Sequence, residues 1–594
     1  MTDYRAPLGD MQFLFDQVLG LEQIAKLPGY EEVSPDLVNA IMEEGARFFS
    51  EVVAPTNQIG DREGTSVVDG QVKAPEELKK AYHALVEAGW PSLAGNPEFG
   101  GQGMPHLISF ALDEMCQSAN LAFSLCPLLG KGVITALERY GNQDQKNLYL
   151  PKLISGEWAG TMNLTEPQAG SDLAAVRTKA IPEGDHYRIS GQKIFITWGD
   201  HDFTDNIIHL VLARTPDAPE GVKGISLFIV PKFLHDADGN IGERNDVRPI
   251  SVEHKLGIHG SPTCVLSYGE EGGALGYLVG EENAGLRYMF AMMNHARLSV
   301  GLQGVAIGER AYQQACEYAR TRVQGSVTGV EGRAPIIKHP DIRRMLMLMR
   351  SQIEAGRALA YEAIAHEDFS LYEPDVTVAK RHDRRVDLLT PLVKGWCTEM
   401  AQEVTSLGVQ IHGGMGYIEE TGAAQHFRDA RILPIYEGTN GIQAMDLIGR
   451  KLLRDQGEAL QELAGEFHVL LGELEKAGKP MASIHRGLGQ GLYSADKAIR
   501  HIFTHVMGDW SFPNAVAYNL LMLLGTTAAG ALLAKSALAA HRQLEKGEGN
   551  AEFCRNKIIT AQFYAEHLMP RTTSYMQAIT AGHDSIMALP EDQF

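Results

Sequence analysis

The sequence predicts a mainly α protein with a central β unit. Three observations predict it. Apolar residues recur with a helical period through the first 140 residues. Between about 160 and 280 the pattern becomes β-branched and partly alternating, punctuated by Gly, Pro and Asp. From about 283 the helical period returns and persists to the end.

The elements follow in order. Ser34 before Pro35 is a helix start signal, and residues 35–55 put Leu37, Ile41, Ala46, Phe49 and Val52 near one face. Residues 75–89 and 106–140 continue as helix, with the glycine-rich loop 97–105 between them. Residues 186–197, 206–214 and 224–231 are strands. Residues 283–322, 335–368, 374–408 and 440–455 are long amphipathic stretches. Residues 456–594 add a helical block, broken at 478–480, 508–514 and 546–550. The expected domains are therefore 1–160, 161–282, 283–455 and 456–594.

A length of 594 residues, 44% hydrophobic and 21% charged, is ample for a large core and excludes a disordered chain. The formal net charge is −21 (53 Lys and Arg against 74 Asp and Glu), which disfavours nonspecific binding to nucleic acid or an anionic membrane. Six scattered cysteines, with no CxxC pair, suggest neither a zinc knuckle nor a disulfide framework and read as a reducing compartment. The N-terminus shows no basic stretch followed by an apolar one, so the expected location is cytoplasmic. The most apolar run, Leu520 to Ala534, reads as a buried packing helix rather than a stable membrane span.

Two segments stand out chemically. In Ile435-Tyr436-Glu437-Gly438-Thr439-Asn440 a carboxylate sits among apolar and aromatic residues, just before a glycine. Buried there, its pKa would rise and it could serve as a general base. Taken alone, it could equally be a solvated loop residue or lie at a helix N-terminus near Thr439. Upstream, Gly413, Gly414 and Gly416 let the backbone approach a ligand, or simply make a tight turn. The second segment is Met162 to Asp172, MNLTEPQAGSD, where small hydroxyls and bare backbone N–H groups could bind a ring heteroatom or a phosphate. A plain polar turn explains it locally as well.

TEPQAGSD, KIFIT, the Arg322 region, QIHGGMGY and IYEGTNGIQ occur in the order found in acyl-CoA dehydrogenases, which the chain resembles over about 35–455. The N-terminal stretch and residues 456–594 resemble the larger bacterial members, a subgroup that includes fatty acyl-CoA and 3-methylmercaptopropionyl-CoA dehydrogenases. The resemblance implies a helical domain, a β-barrel-like domain, a helical bundle and an extra C-terminal helical domain. It implies FAD as cofactor, an acyl-CoA substrate, electron-transfer flavoprotein as acceptor and a homo-oligomer, most simply a homodimer.

The implied activity is removal of hydrogen from Cα and Cβ of a medium- to long-chain fatty acyl-CoA, in β-oxidation or a related route. By the resemblance, Glu437 is the catalytic base. Met162, Leu164, Thr165, Ser171, Phe195, Thr197, Arg322, Gln410, Gly413, Gly414, Thr439 and Asn440 bind FAD, the Gln410–Gly414 side reaching it from a neighbouring subunit. Ser171, Asn294, Arg297, Tyr436 and Gly438 contact the acyl-CoA. Isolated arginines such as Arg297 and Arg322 are otherwise surface ion pairs.

The chain departs from the family pattern at several positions. Gln168 stands where many relatives have Gly, Phe195 where many have Trp, and His339-Pro340 where His-Gln is common. Arg322-Val323-Gln324-Gly325 is a loose match, and Asn294 replaces a frequent acid. Three other readings compete: a 3-methylmercaptopropionyl-CoA dehydrogenase, an alkylation-response flavoprotein that binds DNA, and an acyl-CoA oxidase. DNA binding needs a basic face, and residues 451–594 carry 13 Lys and Arg against 15 Asp and Glu.

Overall fold

Local sequence explains helix Pro35–Phe48, the first that the sequence predicts. Proline suits its first turn, and the Ser34 hydroxyl accepts the Leu37 N–H at 3.3 Å. The buried face carries Val38, Met42, Gly45, Phe49 and Val53, whereas Leu37 is exposed. Phe49 is buried as expected, while Val38, Met42 and Val53 take the inward places expected of their neighbours Leu37, Ile41 and Val52. Gly45 explains the phase: a Cβ there would lie 2.3 Å from Leu112 Cδ2, so close packing at a side-chain-free position decides which face turns inward.

The computed structural model describes residues 4–329, 331–506, 509 and 511–594. The chain divides into two compact units, Glu44–Ser299 and Met1–Glu43 with Val300–Phe594.

The Glu44–Ser299 unit contains the expected helices as Glu76–Glu87, His106–Ala119 and Leu121–Tyr140, followed by Gln143–Ser155. It also contains a small hairpin, Ser66–Val68 with Gln71–Lys73, whose three-residue strands are too short to show a period. Its main sheet has eight strands. In spatial order they are Val247–Val252, Thr263–Tyr268, His186–Thr197, Ala274–Leu278, Ser226–Pro231, Asn206–Ala213 and Trp158–Asn163, with Lys179–Glu183 also paired to His186–Thr197. Only Trp158–Asn163 and Asn206–Ala213 run parallel. The sheet curls, since the twelve-residue strand His186–Thr197 serves different neighbours with its two halves. Among the described residues no ladder joins the two outer strands. Strands Asn206–Ala213 and Ser226–Pro231 are buried throughout and pack against Val133, Leu137 and Met292.

The other unit is helical. Helix Gly285–Thr321 runs into it, followed by Pro340–Tyr372, Val376–His412, Ala423–Ala430 and Asn440–Asp446. The C-terminal block consists of Glu458–Lys476, Ala482–His505, Ser511–Lys546, Ala551–His567 and Arg571–Ala581. The expected break at 508–514 lies partly outside the described residues, at 508 and 510. Helix Ser511–Lys546 is long and apolar enough to cross a membrane, but it is mostly buried as a core helix, as expected for 520–534. All six cysteines are buried and unpaired.

Candidate active site

The Glu437 loop belongs to the helical unit. Helix Ala423–Ala430 ends, and the chain turns through Ile432, whose carbonyl accepts the N–H groups of Ile435 at 2.8 Å and Tyr436 at 3.2 Å. The Asn440 N–H then donates to the Pro434 carbonyl at 3.0 Å, closing a short ring with Glu437 near its apex. Glu437 has φ +56° and Gly438 has φ +84°. For a residue with a Cβ this left-handed conformation costs about 1–2 kcal/mol and persists only where the surroundings enforce it. Thr439 enforces it from one side by capping the next helix, its hydroxyl accepting the Ile442 N–H at 3.3 Å. Gln443 approaches the Glu437 and Gly438 carbonyls, each at 3.4 Å.

Asn440 is the anchor. It is buried, and its Nδ2 lies 2.9 Å from Glu399 Oε1 and 3.0 Å from the Thr398 hydroxyl. Its Oδ1 accepts from the buried Lys394 ammonium at 2.8 Å. This side-chain amide is spent on helix Val376–His412 and so anchors the loop. Tyr436 donates its hydroxyl to Gln303 of helix Gly285–Thr321. Burial, then the carboxylates of Glu437 and Asp429, push that phenol well above its usual pKa. Glu437 itself is half-buried.

A second loop lies in the other unit. Glu166 is buried and gathers five donors: Lys193 Nζ at 2.8 Å, Thr178 N–H at 3.0 Å and its hydroxyl at 2.5 Å, Arg177 N–H at 2.8 Å and Gln168 Nε2 at 2.6 Å. Burial opposes the charge, but Lys193 and these donors outweigh it and hold the carboxyl at about 2. Lys193 also donates to the Leu164 carbonyl at 3.0 Å, and the Ile194 N–H donates to the Thr165 carbonyl at 2.9 Å. These bonds tie MNLTEPQAGSD to the strand that carries Phe195.

Phe195 sits on a β-bulge. Ile194 and Phe195 face the single residue Val265 across the ladder, and Phe195 has φ +58°. The bulge turns its ring outward, leaving the residue 58% exposed in the middle of a strand. Thr165 and Thr197 are half-buried, and their hydroxyls have no hydrogen-bond partner among the described residues. Leu164 is half-buried beside the core. Met162 is 8% exposed, with its side chain within that core. Ser171 is exposed.

The remaining positions divide. Arg297 is buried and not a surface residue, with its Nη1 3.3 Å from Asn294 Oδ1 and its guanidinium over the Phe290 ring. Asn294 is exposed. Arg322 is exposed and makes no ion pair among the described residues. Gln410 is exposed at the end of its helix. Gly413 ends that helix at φ +60°, and space is open around both Gly413 and Gly414. Sequence reasoning assigned no role to Lys193, Glu166, Gln303, Lys394 or Glu399. Lys394 carried a signal, as the one charge within LLTPLVKGWC.

Comparisons with known proteins agree with this architecture. Family models match for the N-terminal domain of acyl-CoA dehydrogenase at 37–157, its middle domain at 161–269 and its C-terminal domain at 283–453. A further model, acetyl-CoA dehydrogenase C-terminal like, matches 459–590. The chain is 49% identical to a 3-methylmercaptopropionyl-CoA dehydrogenase of Ruegeria pomeroyi, over 98% of this chain and 99% of that protein. It is 35% identical to a broad-specificity linear acyl-CoA dehydrogenase of Mycobacterium tuberculosis, over the full length of both. A solved acyl-CoA dehydrogenase of Bacillus anthracis, complexed with FAD, shares the fold with TM-score 0.74 at 21% identity, covering 98% of this chain and 92% of that one.

Proposed function

Since the chain belongs to the acyl-CoA dehydrogenase family, oxidoreductases acting on acyl-CoA, we propose that it converts an acyl-CoA to the trans-2-enoyl-CoA with FAD as cofactor and Glu437 as base. The observation that carries this reading is the closed 434–440 ring, which presents one carboxylate in an enforced left-handed conformation.

FAD fits what the residues offer. In the Glu44–Ser299 unit, an exposed aromatic ring on a strained bulge and two threonine hydroxyls without partners among the described residues suit a flavin ring. When bound, FAD supplies the acceptor for the hydride that leaves Cβ. Leu164, Thr165, Phe195 and Thr197 would hold the ring system, Ser171 and Arg322 the phosphates, and Gln410, Gly413 and Gly414 the adenosine side. Thr439 and Asn440 would contribute to FAD binding from the base loop. Asn294 and Arg297 would take the CoA, and Tyr436 and Gly438 the acyl end.

Glu437 takes the Cα proton, and its carboxylate must stay partly desolvated to be basic enough. Positioned general bases of this kind are worth about 10²–10⁴ in rate. We favour a short thioether acyl group, 3-methylmercaptopropionyl, because the Ruegeria relative matches the whole chain at 49%. A linear fatty acyl group is the second reading, favoured by the full-length match to the Mycobacterium enzyme. The same reading makes the protein a cytoplasmic homodimer that passes electrons to electron-transfer flavoprotein.

The test is anaerobic titration of the yellow protein with 3-methylmercaptopropionyl-CoA and with straight-chain acyl-CoAs from short to long. Bleaching by one class names the substrate. Glu437→Gln should keep the flavin and slow bleaching by about 10²–10⁴. Normal bleaching in that variant removes Glu437 from the mechanism.

A further inference from the structure

We propose that the C-terminal helical block holds the Glu437 loop in its working geometry, with Glu399 as the positioning residue through which it acts. This rests on the reading of Glu437 as the base. The argument starts from helix Val376–His412, which has two sets of contacts. Lys394, Gly395 and Thr398 grip Asn440 at the foot of the loop. Trp396, Glu399 and Glu403 meet the C-terminal block. The Trp396 indole donates to the Thr526 hydroxyl at 3.1 Å. Arg571 takes both oxygens of Glu403, at 2.7 Å each.

Glu399 belongs to both sets. One carboxylate oxygen accepts from Asn440 at 2.9 Å. The carboxylate also faces Tyr518, on helix Ser511–Lys546 of the C-terminal block, across one shared cavity, where burial and then the Glu399 charge raise the phenol's pKa. Glu399, Tyr518, Arg571 and Tyr575 line that cavity, of about 170 Å³, so this carboxylate has room to swing if the Tyr518 hydroxyl is removed. A carboxylate that interacts with groups on two different elements couples their positions. Removing the Tyr518 hydroxyl leaves the Asn440 amide with a mobile acceptor, at the foot of a loop whose base must lie in line with Cα. Misplacing a catalytic group by an ångström from a distant change can cost up to about 10²-fold in rate.

The experiment is a double-mutant cycle on the flavin-containing full-length protein, reading single-turnover bleaching by the preferred acyl-CoA. Tyr518→Phe should slow bleaching roughly three- to tenfold, with flavin content, melting temperature and substrate KM unchanged. Asn440→Ala should slow it more. The double variant should be no slower than Asn440→Ala alone, because the two changes break one chain of contacts. Glu399→Gln, which keeps an acceptor and the side-chain shape, should fall between wild type and Tyr518→Phe and guards against failure of a harsher variant to fold.

Additive losses in the double variant would overturn the proposal. So would a Tyr518→Phe protein that melts earlier yet bleaches at the wild-type rate. If the wild-type flavin is bleached by no acyl-CoA, the reading of the enzyme fails first and takes this inference with it.

Discussion

The 162–178 loop and the 434–440 loop each support a residue held in the left-handed region, Phe195 for the first and Glu437 for the second. They are fixed by opposite chemistry. The first is organised around the Glu166 carboxylate, which can only accept, so it gathers donors and needs Lys193 to balance its charge. The second is organised around the Asn440 amide, which donates and accepts at once and carries no charge. An ionic hub is strong and brittle, since removing either partner strands a buried charge. An amide hub is weaker per bond, and here it stands between two opposite charges, accepting from Lys394 and donating to Glu399, without being charged itself.

The largest effect expected from this contrast is at Lys193. Lys193→Met strands Glu166 and should cost about 3–5 kcal/mol, with loss of flavin. Urea denaturation with flavin absorbance reads both. Lys193→Met combined with Glu166→Gln should recover most of the stability, because no charge is then left unpaired. If the single variant is as stable as wild type, the loop is not organised by charge.

The legibility of these two regions in the sequence differs for the same reason. Strand His186–Thr197 was readable end to end, because its apolar residues, partly alternating, are bounded by Asp and Trp-Gly. The helices were readable because long amphipathic periods survive local detail. The hubs were not. Glu166 and Lys193 stand 27 positions apart and look like ordinary polar residues until the sheet brings them together. Asn440 was noticed as a site residue, but its bonds to Lys394, Thr398 and Glu399 were not, since nothing local says that helix Val376–His412 passes beneath it. The shift of face within 35–55 has the same origin: Leu112, distant in sequence, chose the face through Gly45. Motif order singled out both loops, while side-chain partners across long sequence separations had to come from the fold.

Acid should separate the two loops next. Glu166 is held at about 2 against an ordinary 4.5. A lowered carboxyl pKa means stability that is whole above pH 4.5, drains as the pH falls towards 2 and is gone below it. The shift corresponds to about 3 kcal/mol. In urea titrations at successive pH values, wild type should lose that much more stability than Glu166→Gln between pH 6 and pH 2. Parallel curves for the two proteins would mean that Glu166 is not the acid-sensitive group.

The smallest effect concerns Gln168, the position where the sequence departs from the glycine common in the family. Its side-chain amide donates to Glu166 at 2.6 Å and to the Ala175 carbonyl at 3.0 Å, a lock that glycine cannot form. Gln168→Gly leaves Glu166 with its four other donors, and because Gln168 itself is exposed, water replaces what is lost. The net cost should be about 1 kcal/mol, from one or two solvent-competed bonds and the added freedom of glycine. If the lock shapes the surface on which FAD rests, that cost appears as flavin affinity weakened by about fivefold, with bleaching by substrate unaffected once the flavin is bound. A flavin affinity equal to wild type would confine the Gln168 bonds to the loop's own stability. The amide hub at Asn440, in the other unit, should register nothing in either case.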